Sequence, residues 1–401
     1  VPALSILHAT DLHLRQALPG SAGHAVRRSR EIPTLLERLG EVVARQRPDL
    51  VVLTGDLVDV PHPLLHGDPA DHATAMAEAE ADYRLLRGWL DRLPCPWRAI
   101  PGNHDRLDAF EAAFGTGRET ESHHGGFRVV GFEDWEVAGN QAQRVGAQRA
   151  LFERVLADPD PAPQIHLQHY LIRPDVDYGY PLMYREAADL AAAIERSGRV
   201  RAVLSGHWHQ GEPPLTVGDT TYSVCPTFCE WPHRYRLVTC TEAGVRIETR
   251  AIEAPEARRW RPAVFVVLDR QTPDIDHPTI DEAGARLLLR TVARGWSPVL
   301  VAPWEPHRFG WRAAQELADG VARHARALGH ELGAAYFVVD RDLDPALRAR
   351  LPAEGTPTAS DLFPRAEREL GLDLAGSILV GGGDALAAAA RDHGLALHPA
   401  P

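Results

Sequence analysis

The chain contains no lysine; every one of its 43 Lys+Arg positions is arginine. No lysine can therefore reach a nucleotide's phosphates from a P-loop, and no side-chain amine is available for a Schiff base. Cysteine is scarce. Cys95, Cys225, Cys229 and Cys240 form no Cys-x-x-Cys pair, and their spacing fits neither a zinc knuckle nor a disulfide framework. That pattern points to a reduced, cytoplasmic protein. Long apolar runs are missing too: no stretch approaches the roughly 18 consecutive apolar residues of a membrane span. Val1-Pro2-Ala3 leads straight into a strand without the basic n-region and long apolar h-region of a secretory leader. Nor is positive charge in excess. A formal net charge of −12 supplies no global field for nucleic acid or for an anionic membrane, so neither is an expected partner.

What is present is enough apolar material, 44% of 401 residues, for more than one core. Strand-like runs at Leu4–Ala9, Asp49–Leu53, Trp97–Ile100, Phe127–Phe132, Gln164–Gln168 and Val200–Leu204 alternate with helical patterns. Ile32, Leu35, Leu36, Leu39, Val42 and Val43 recur at helical spacing, and a second helix is expected from Ala75 to about Leu93, after a Pro-, His- and Asp-rich loop at 61–75. Short strands at Thr220–Val224, Tyr235–Thr241 and Gly244–Ile252 make a mainly antiparallel finish. The charged stretch Glu253–Trp260 reads as a linker, which sets the expected domains at 1–254 and 255–401. The second domain again alternates. Strands are expected at Ala263–Leu268, Pro298–Ala302, Tyr336–Val339 and Ser377–Val380, and helices at Asp281–Arg294, Ala313–Leu328 and Asp361–Leu370. A last helix opens at Gly381-Gly382-Gly383-Asp384. Both halves are thus of α/β class.

Polar residues gather at the carboxyl ends of the first domain's strands, where open α/β sheets place their sites. The segments are Asp11-Leu12-His13, Gly55-Asp56, Gly102-Asn103-His104-Asp105, Gln168-His169 and Gly206-His207-Trp208-His209. Alone, an Asp-x-His is usually a turn or helix cap and a Gly-Asp nearly always a turn. Together they hold carboxylate, amide and imidazole donors for two divalent or trivalent cations, with Mn, Fe, Zn and Co all compatible. Asp-x-His and His-x-His put both side chains of each triplet on one side of an extended turn. In this reading Asp56 bridges the ions. Asp11, His13 and His209 complete one, and Asn103, His169 and His207 the other. A hydroxide between two such ions attacks phosphorus in line. His104, beside Asn103, points past the metals and is the expected proton donor to the leaving alkoxide, with Asp105 orienting it or the turn. Arg15, His24, Arg106, Tyr178 and Tyr180 lie near these motifs and are candidate substrate contacts.

The runs His8-Ala-Thr-Asp11-Leu-His13, Pro48-Asp-Leu-Val-Val-Leu-Thr-Gly-Asp56, Ile100-Pro-Gly-Asn103-His104-Asp105, His169 and Leu204-Ser-Gly-His207-Trp-His209 resemble the calcineurin-like metallophosphoesterases, in particular the class III cyclic-nucleotide phosphodiesterase branch. The resemblance spans roughly residues 3 to 250. It implies a four-layer αββα sandwich with the site at one edge of the sheets, and it supports the roles given above. Gln168-His169-Tyr170 stands where that branch commonly has a His-His-Pro type run.

The second domain resembles phosphatases of the haloacid-dehalogenase type that act on histidinol phosphate or heptose bisphosphate, with a Rossmann-like fold. Asp269 matches the nucleophile, but Gln271 stands at the acid/base position. Ala302-Pro303 replaces the expected hydroxyl residue, Arg348 or Arg350 would have to supply the cation, and Asp384 comes two residues late after Gly381-Gly382. Losing the acid and a metal carboxylate together predicts a catalytically inactive domain.

The expected function is metal-dependent hydrolysis of a small phosphodiester of cyclic-nucleotide type. The alternatives are a phosphomonoesterase acting on a small biosynthetic metabolite, and a regulatory protein that senses a ligand through its second domain. Acidic balance argues against a nuclease.

Overall fold

The structure, a computed structural model, describes residues 3–19, 27–61, 64, 69–116, 120–137, 140–176, 181–252, 261–267, 296–303, 319–320, 334–338 and 358–398. The chain divides into two compact units. One comprises Val1–Leu18, Arg28–Val60 and Met76–Ala254; the other comprises Pro19–Arg27, Pro61–Ala75 and Pro255–Pro401.

The first unit is built on two mixed sheets. Strands β1 (Ala3–Ala9), β2 (Leu50–Thr54), β3 (Trp97–Ile100), β12 (Arg234–Thr241) and β13 (Gly244–Ala251) form one, in the order β13-β12-β1-β2-β3. The other runs β10-β11-β9-β8-β5-β4, from β4 (Glu121–His124), β5 (Phe127–Gly131), β8 (Gln164–Leu167), β9 (Val200–Ser205), β10 (Leu215–Val217) and β11 (Thr220–Val224). A small hairpin, β6 (Trp135–Val137) with β7 (Gln141–Gln143), stands apart from both sheets. One apolar cluster joins Leu4, Leu50, Val52, Ile100 and Val238 of the first sheet to Val129, Ile165, Leu167 and Leu204 of the second, so the sheets face each other across a common core.

A second cluster packs Phe152 and Val155 of one helix and Leu190, Ala191 and Ile194 of another against Val130, Val203 and Tyr222. Strands covered on both faces bury residues of both parities, as β2 and β5 do along their whole length. The first unit is therefore a mixed α/β fold with two central sheets.

Helix α1 (Ile32–Gln46) buries the six apolar residues picked out by spacing and ends on Arg47 in the left-handed conformation. Helix α2 runs Pro69–Leu90, so it starts well before Ala75 and stops short of Leu93. A proline is favourable in a helix's first turn, where its missing N–H costs no hydrogen bond, and this start hid inside a composition that reads as loop. Three short helices were not foreseen: α3 (Leu107–Phe114), α4 (Gly146–Ala157) and α5 (Ala187–Ser197).

The second unit holds one parallel sheet in the order β16-β15-β14-β17-β18, from β14 (Arg261–Val267), β15 (Ser297–Pro303), β16 (Ala334–Val338), β17 (Leu372–Val380) and β18 (Ala396–His398). Helices α6 (Ala359–Leu370) and α7 (Asp384–Asp392) cover it through Leu362, Phe363, Ala366, Leu386 and Ala390, around Phe265 and Leu379. β17 begins at Leu372 rather than Ser377. Its alternation of buried Leu372 and Leu374 with exposed neighbours is cut by Gly376, which obscured the first half. The helix expected at 281–294 lies outside the described residues, as does that at 313–328 except for residues 319–320, which are helical; Asp269, Gln271, Arg348 and Arg350 also lie outside them.

Candidate dinuclear metal centre

The carboxyl ends of β1, β2, β3, β8 and β9 converge, and each delivers one of the sequence motifs. Tight turns bring them together. Asp11, His13, Asp56 and His207 all adopt positive φ (53°, 45°, 50° and 66°), a conformation that costs a non-glycine residue free energy and persists where surrounding structure enforces it. Gly102 is required by close approach: a Cβ there would overlap Asp56 Oδ1 and the Asp56 backbone nitrogen. Asp11, His13, Asp56, His169 and His207 are all buried.

Asp56 is the hub. Its Oδ2 lies 3.6 Å from His13 Nε2 and its Oδ1 lies 3.4 Å from His169 Nε2, so the two oxygens face two different groups. On the first side, His13 Nε2 and His209 Nε2 are 3.2 Å apart, and Asp11 Oδ1 is 3.6 Å from His209 Nε2. On the second, His169 Nε2 is 3.0 Å from Asn103 Oδ1 and 3.1 Å from His207 Nδ1. All seven expected ligands thus meet in one place.

The surrounding hydrogen bonds decide which ring nitrogens face inward. His209 Nδ1 sits 2.7 Å from Glu230 Oε1, and His169 Nδ1 sits 2.8 Å from the Thr54 carbonyl. Both acceptors require an N–H, which leaves each Nε2 as a lone pair in the neutral ring. Asp11 Oδ1 is buried and accepts no hydrogen bond among the described residues. Lone pairs of imidazole and carboxylate that face one another without donors between them fit cations. Three groups, His13 with His209 and Cys229, His13 with Asp56 and His104, and Asp56 with His169 and His207, each bring their donor atoms within 4.8 Å of one another.

Charge follows the same geometry. Burial would raise the Asp56 carboxyl, but His169, His104 and His13 hold it well below the usual carboxylate range. Burial disfavours a charged His169, yet Asp56 moves it up to about 10, so without a cation this ring takes a proton. His207 is driven well below its ordinary value by burial and then by His169. Burial raises Asp11.

His104 stands at the edge of this centre, 29% exposed, with its ring centroid 4.8 Å from that of His13. Its Nδ1 contacts Asp59 Oδ1, and the other oxygen of Asp59 pairs with Arg15. Burial opposes ionisation of Asp59, but Arg15 and His104 hold it far below the normal range. Of the two roles expected for Asp105, its hydrogen bonds serve the turn. Asp105 does not orient His104: its carboxylate accepts from the backbone N–H groups of Leu57, Val58 and Gly102 and from Tyr83 Oη, which ties the two turns together. Burial and then Asp56 push Asp105 to about 6. Arg15 is buried against Asp59, so its guanidinium is committed to that carboxylate. Arg106 is partly exposed near Asp108, while His24, Tyr178 and Tyr180 lie outside the described residues.

Behind His169, Arg144 is fully buried. It pairs with Asp134 at 2.8 Å, donates to Gln168 Oε1 at 3.1 Å and to Tyr184 Oη at 3.0 Å, and lies 3.9 Å over the Phe132 ring. Gln168 Nε2 donates to the Tyr170 carbonyl at 2.8 Å. Gln168 therefore locks the turn that carries His169. Asp59, Glu230 and Arg144 were all missed from sequence. Asp59 follows Asp56 by three residues and was findable; Glu230 and Arg144 are far along the chain from the groups they serve.

The calcineurin-like phosphoesterase family model matches residues 4–211. The chain belongs to that family. It is a metal-dependent phosphohydrolase; the family uses a dinuclear metal centre, and the convergent imidazoles and carboxylates are candidate ligands for one. A probable cyclic nucleotide phosphodiesterase of Synechococcus is 28% identical over 235 residues, 56% of this chain and 80% of that protein. A cAMP/cGMP dual specificity phosphodiesterase of Mycobacterium tuberculosis is 30% identical over 229 residues, 54% of this chain and 65% of that protein. Among solved structures, a dimetal phosphatase from Danio rerio covers 63% of this chain and 98% of its own, with 14% identity and a TM-score of 0.48. No helix among the described residues is long and apolar enough to cross a membrane.

Proposed function

We propose that this chain hydrolyses a small phosphodiester of cyclic-nucleotide type at the centre gathered around Asp56. The observation that carries the reading is the division of Asp56: one carboxylate oxygen faces His13, the other faces His169. Asp11, His13 and His209 would hold one cation, Asn103, His169 and His207 the other, and Asp56 both. Bound there, two cations supply Lewis acidity at the phosphoryl oxygens and activate water.

The chain's own residues do the rest. His104 gives a proton to the leaving oxygen. Its Nδ1 contacts Asp59, and its ring is 29% exposed where that of His13 is fully buried. Asp59, backed by Arg15, keeps that ring oriented and stabilises its charged form. The names borne by the two phosphodiesterase relatives favour the diester reading over the monoesterase alternative.

For the second unit we infer a binding or scaffold role on a degenerate haloacid-dehalogenase-like frame. Two of its described strand ends support this: β15 closes on Ala302-Pro303, and β17 leads into Gly381-Gly382-Gly383.

The test is hydrolysis of matched aryl phosphate diester and monoester substrates by metal-stripped protein resupplied with Mn²⁺. Faster diester turnover is expected. Faster monoester turnover would replace this reading with that of a metabolite phosphatase.

A further inference from the structure

The two cation positions are not chemically equal, because the loop between β11 and β12 reaches only one of them. That loop is stitched to the first metal motif. Phe228 N donates to the Thr10 carbonyl at 2.9 Å and Cys229 N to the Asp11 carbonyl at 3.1 Å. Thr227 Oγ1 donates to the same Asp11 carbonyl at 2.9 Å. The result is that Cys229, fully buried and in no disulfide, brings its Sγ within 4.8 Å of donor atoms of both His13 and His209.

Thr227 has one hydroxyl hydrogen, and it goes to Asp11. The Thr227 oxygen must therefore act as acceptor for Cys229 Sγ, 3.2 Å away, so the sulfur is a thiol in the cation-free protein. The next residue, Glu230, turns the His209 Nε2 lone pair inward. Asp11 Oδ1, on the same side, is buried and accepts no hydrogen bond among the described residues. Among the described residues no cysteine joins the group of Asp56, His169 and His207.

We propose that Cys229 is a sulfur donor to the cation held by Asp11, His13 and His209. This rests on the dinuclear reading above and adds a ligand to it. Coordination exchanges the S–H bond for a metal–sulfur bond and releases one proton to solvent. A thiolate makes this position the softer of the two, favouring Zn, ferrous Fe or Co there, while the nitrogen and oxygen donors around His169 suit Mn equally well.

The test uses the full chain, stripped of metal and loaded with Co²⁺. Cobalt bound through nitrogen and oxygen shows only weak visible bands; cobalt bound to sulfur adds an intense near-ultraviolet sulfur-to-metal charge-transfer band. The wild-type chain is expected to show that band. Cys229→Ser should lose it while still binding cobalt, and Cys225→Ser and Cys240→Ser should keep it. Retention of the band in Cys229→Ser, or its absence from cobalt-loaded wild type, overturns the proposal. If Cys229→Ser does not fold, the triple variant Cys95→Ser/Cys225→Ser/Cys240→Ser decides: with Cys229 as its sole cysteine it must retain the band, and loss overturns the assignment. The dinuclear reading fails separately, if wild type binds no cobalt or if Asp56→Ala binds as much.

Discussion

Parallel strands build a sheet in each unit of this chain, but their carboxyl ends differ. In the first unit β1, β2, β3, β8 and β9 lead into Asp11, Asp56, Asn103, His169 and His207. In the second, β15 ends on Ala302-Pro303 and β17 runs into three glycines. The interiors differ in the same way. The first unit buries histidines, aspartates and arginines around its site, whereas Thr358 and Ser377 are the buried polar side chains among the described residues of the second. Strand–helix alternation makes a frame; the residues at its strand ends make a site.

Each prediction presses on that contrast. The largest effect is expected for Asp56→Ala, which removes a donor from both cation positions. Hydrolysis should fall by at least roughly three orders of magnitude, equivalent to several kcal/mol of lost charge stabilisation, and bound metal should fall with it. His104→Ala should cost about a hundred- to a thousandfold in turnover with metal content unchanged if the ring serves as the proposed proton donor rather than as a ligand beside His13 and Asp56. The loss should shrink for substrates with good leaving groups, which need no proton; an equal loss across leaving groups would remove His104 from that role.

Arg144→Leu should destabilise the first unit by roughly 3–5 kcal/mol, since it strands the buried Asp134 carboxylate. Chemical denaturation followed by tryptophan fluorescence and by activity would show this as early loss of activity.

A smaller effect concerns pH. Asp56 raises His169 to about 10, so below that value a cation must displace its proton. Apparent metal affinity should therefore climb with pH, by up to about tenfold per unit for one proton released, and a flat profile between about pH 6 and 9 would contradict the ligand role of His169. Smallest of all should be Asp269→Asn and Asp384→Asn in the second unit, each leaving hydrolysis within about twofold of wild type, because that unit's motifs lack the acid and a metal carboxylate that turnover needs. Loss of all phosphatase activity in Asp269→Asn would show that unit to be a working enzyme.

Much of the first unit was legible because its signals are local. Helix α1 follows from six apolar residues at 3.6 spacing, and most strands of its two sheets from short apolar runs; the polar β4 and the three-residue β10 were not expected. The seven convergent side chains were readable for a similar reason: each sits within a few residues of a strand end, and topology brings strand ends together. What supports them was not readable. Glu230 is 21 residues from the His209 it turns, and Arg144 is 24 from Gln168. Nothing in the sequence marks such pairs. Asp105, next to His104, looked like its partner, but its carboxylate satisfies three backbone N–H groups of the turn, and Asp59 from the neighbouring strand end takes the imidazole. Helices α3, α4 and α5 are only 8, 12 and 11 residues long, so tertiary packing rather than their own propensity defines them.

The central claim is that Asp56 joins two cation positions. Metal stoichiometry tests it most directly, by equilibrium dialysis of the full chain against Mn²⁺ or Zn²⁺ followed by elemental analysis, with Asp56→Ala alongside. The account predicts two ions per wild-type chain and a marked fall at both positions in the variant. A single ion in the wild type, or a variant that still binds two, would contradict it.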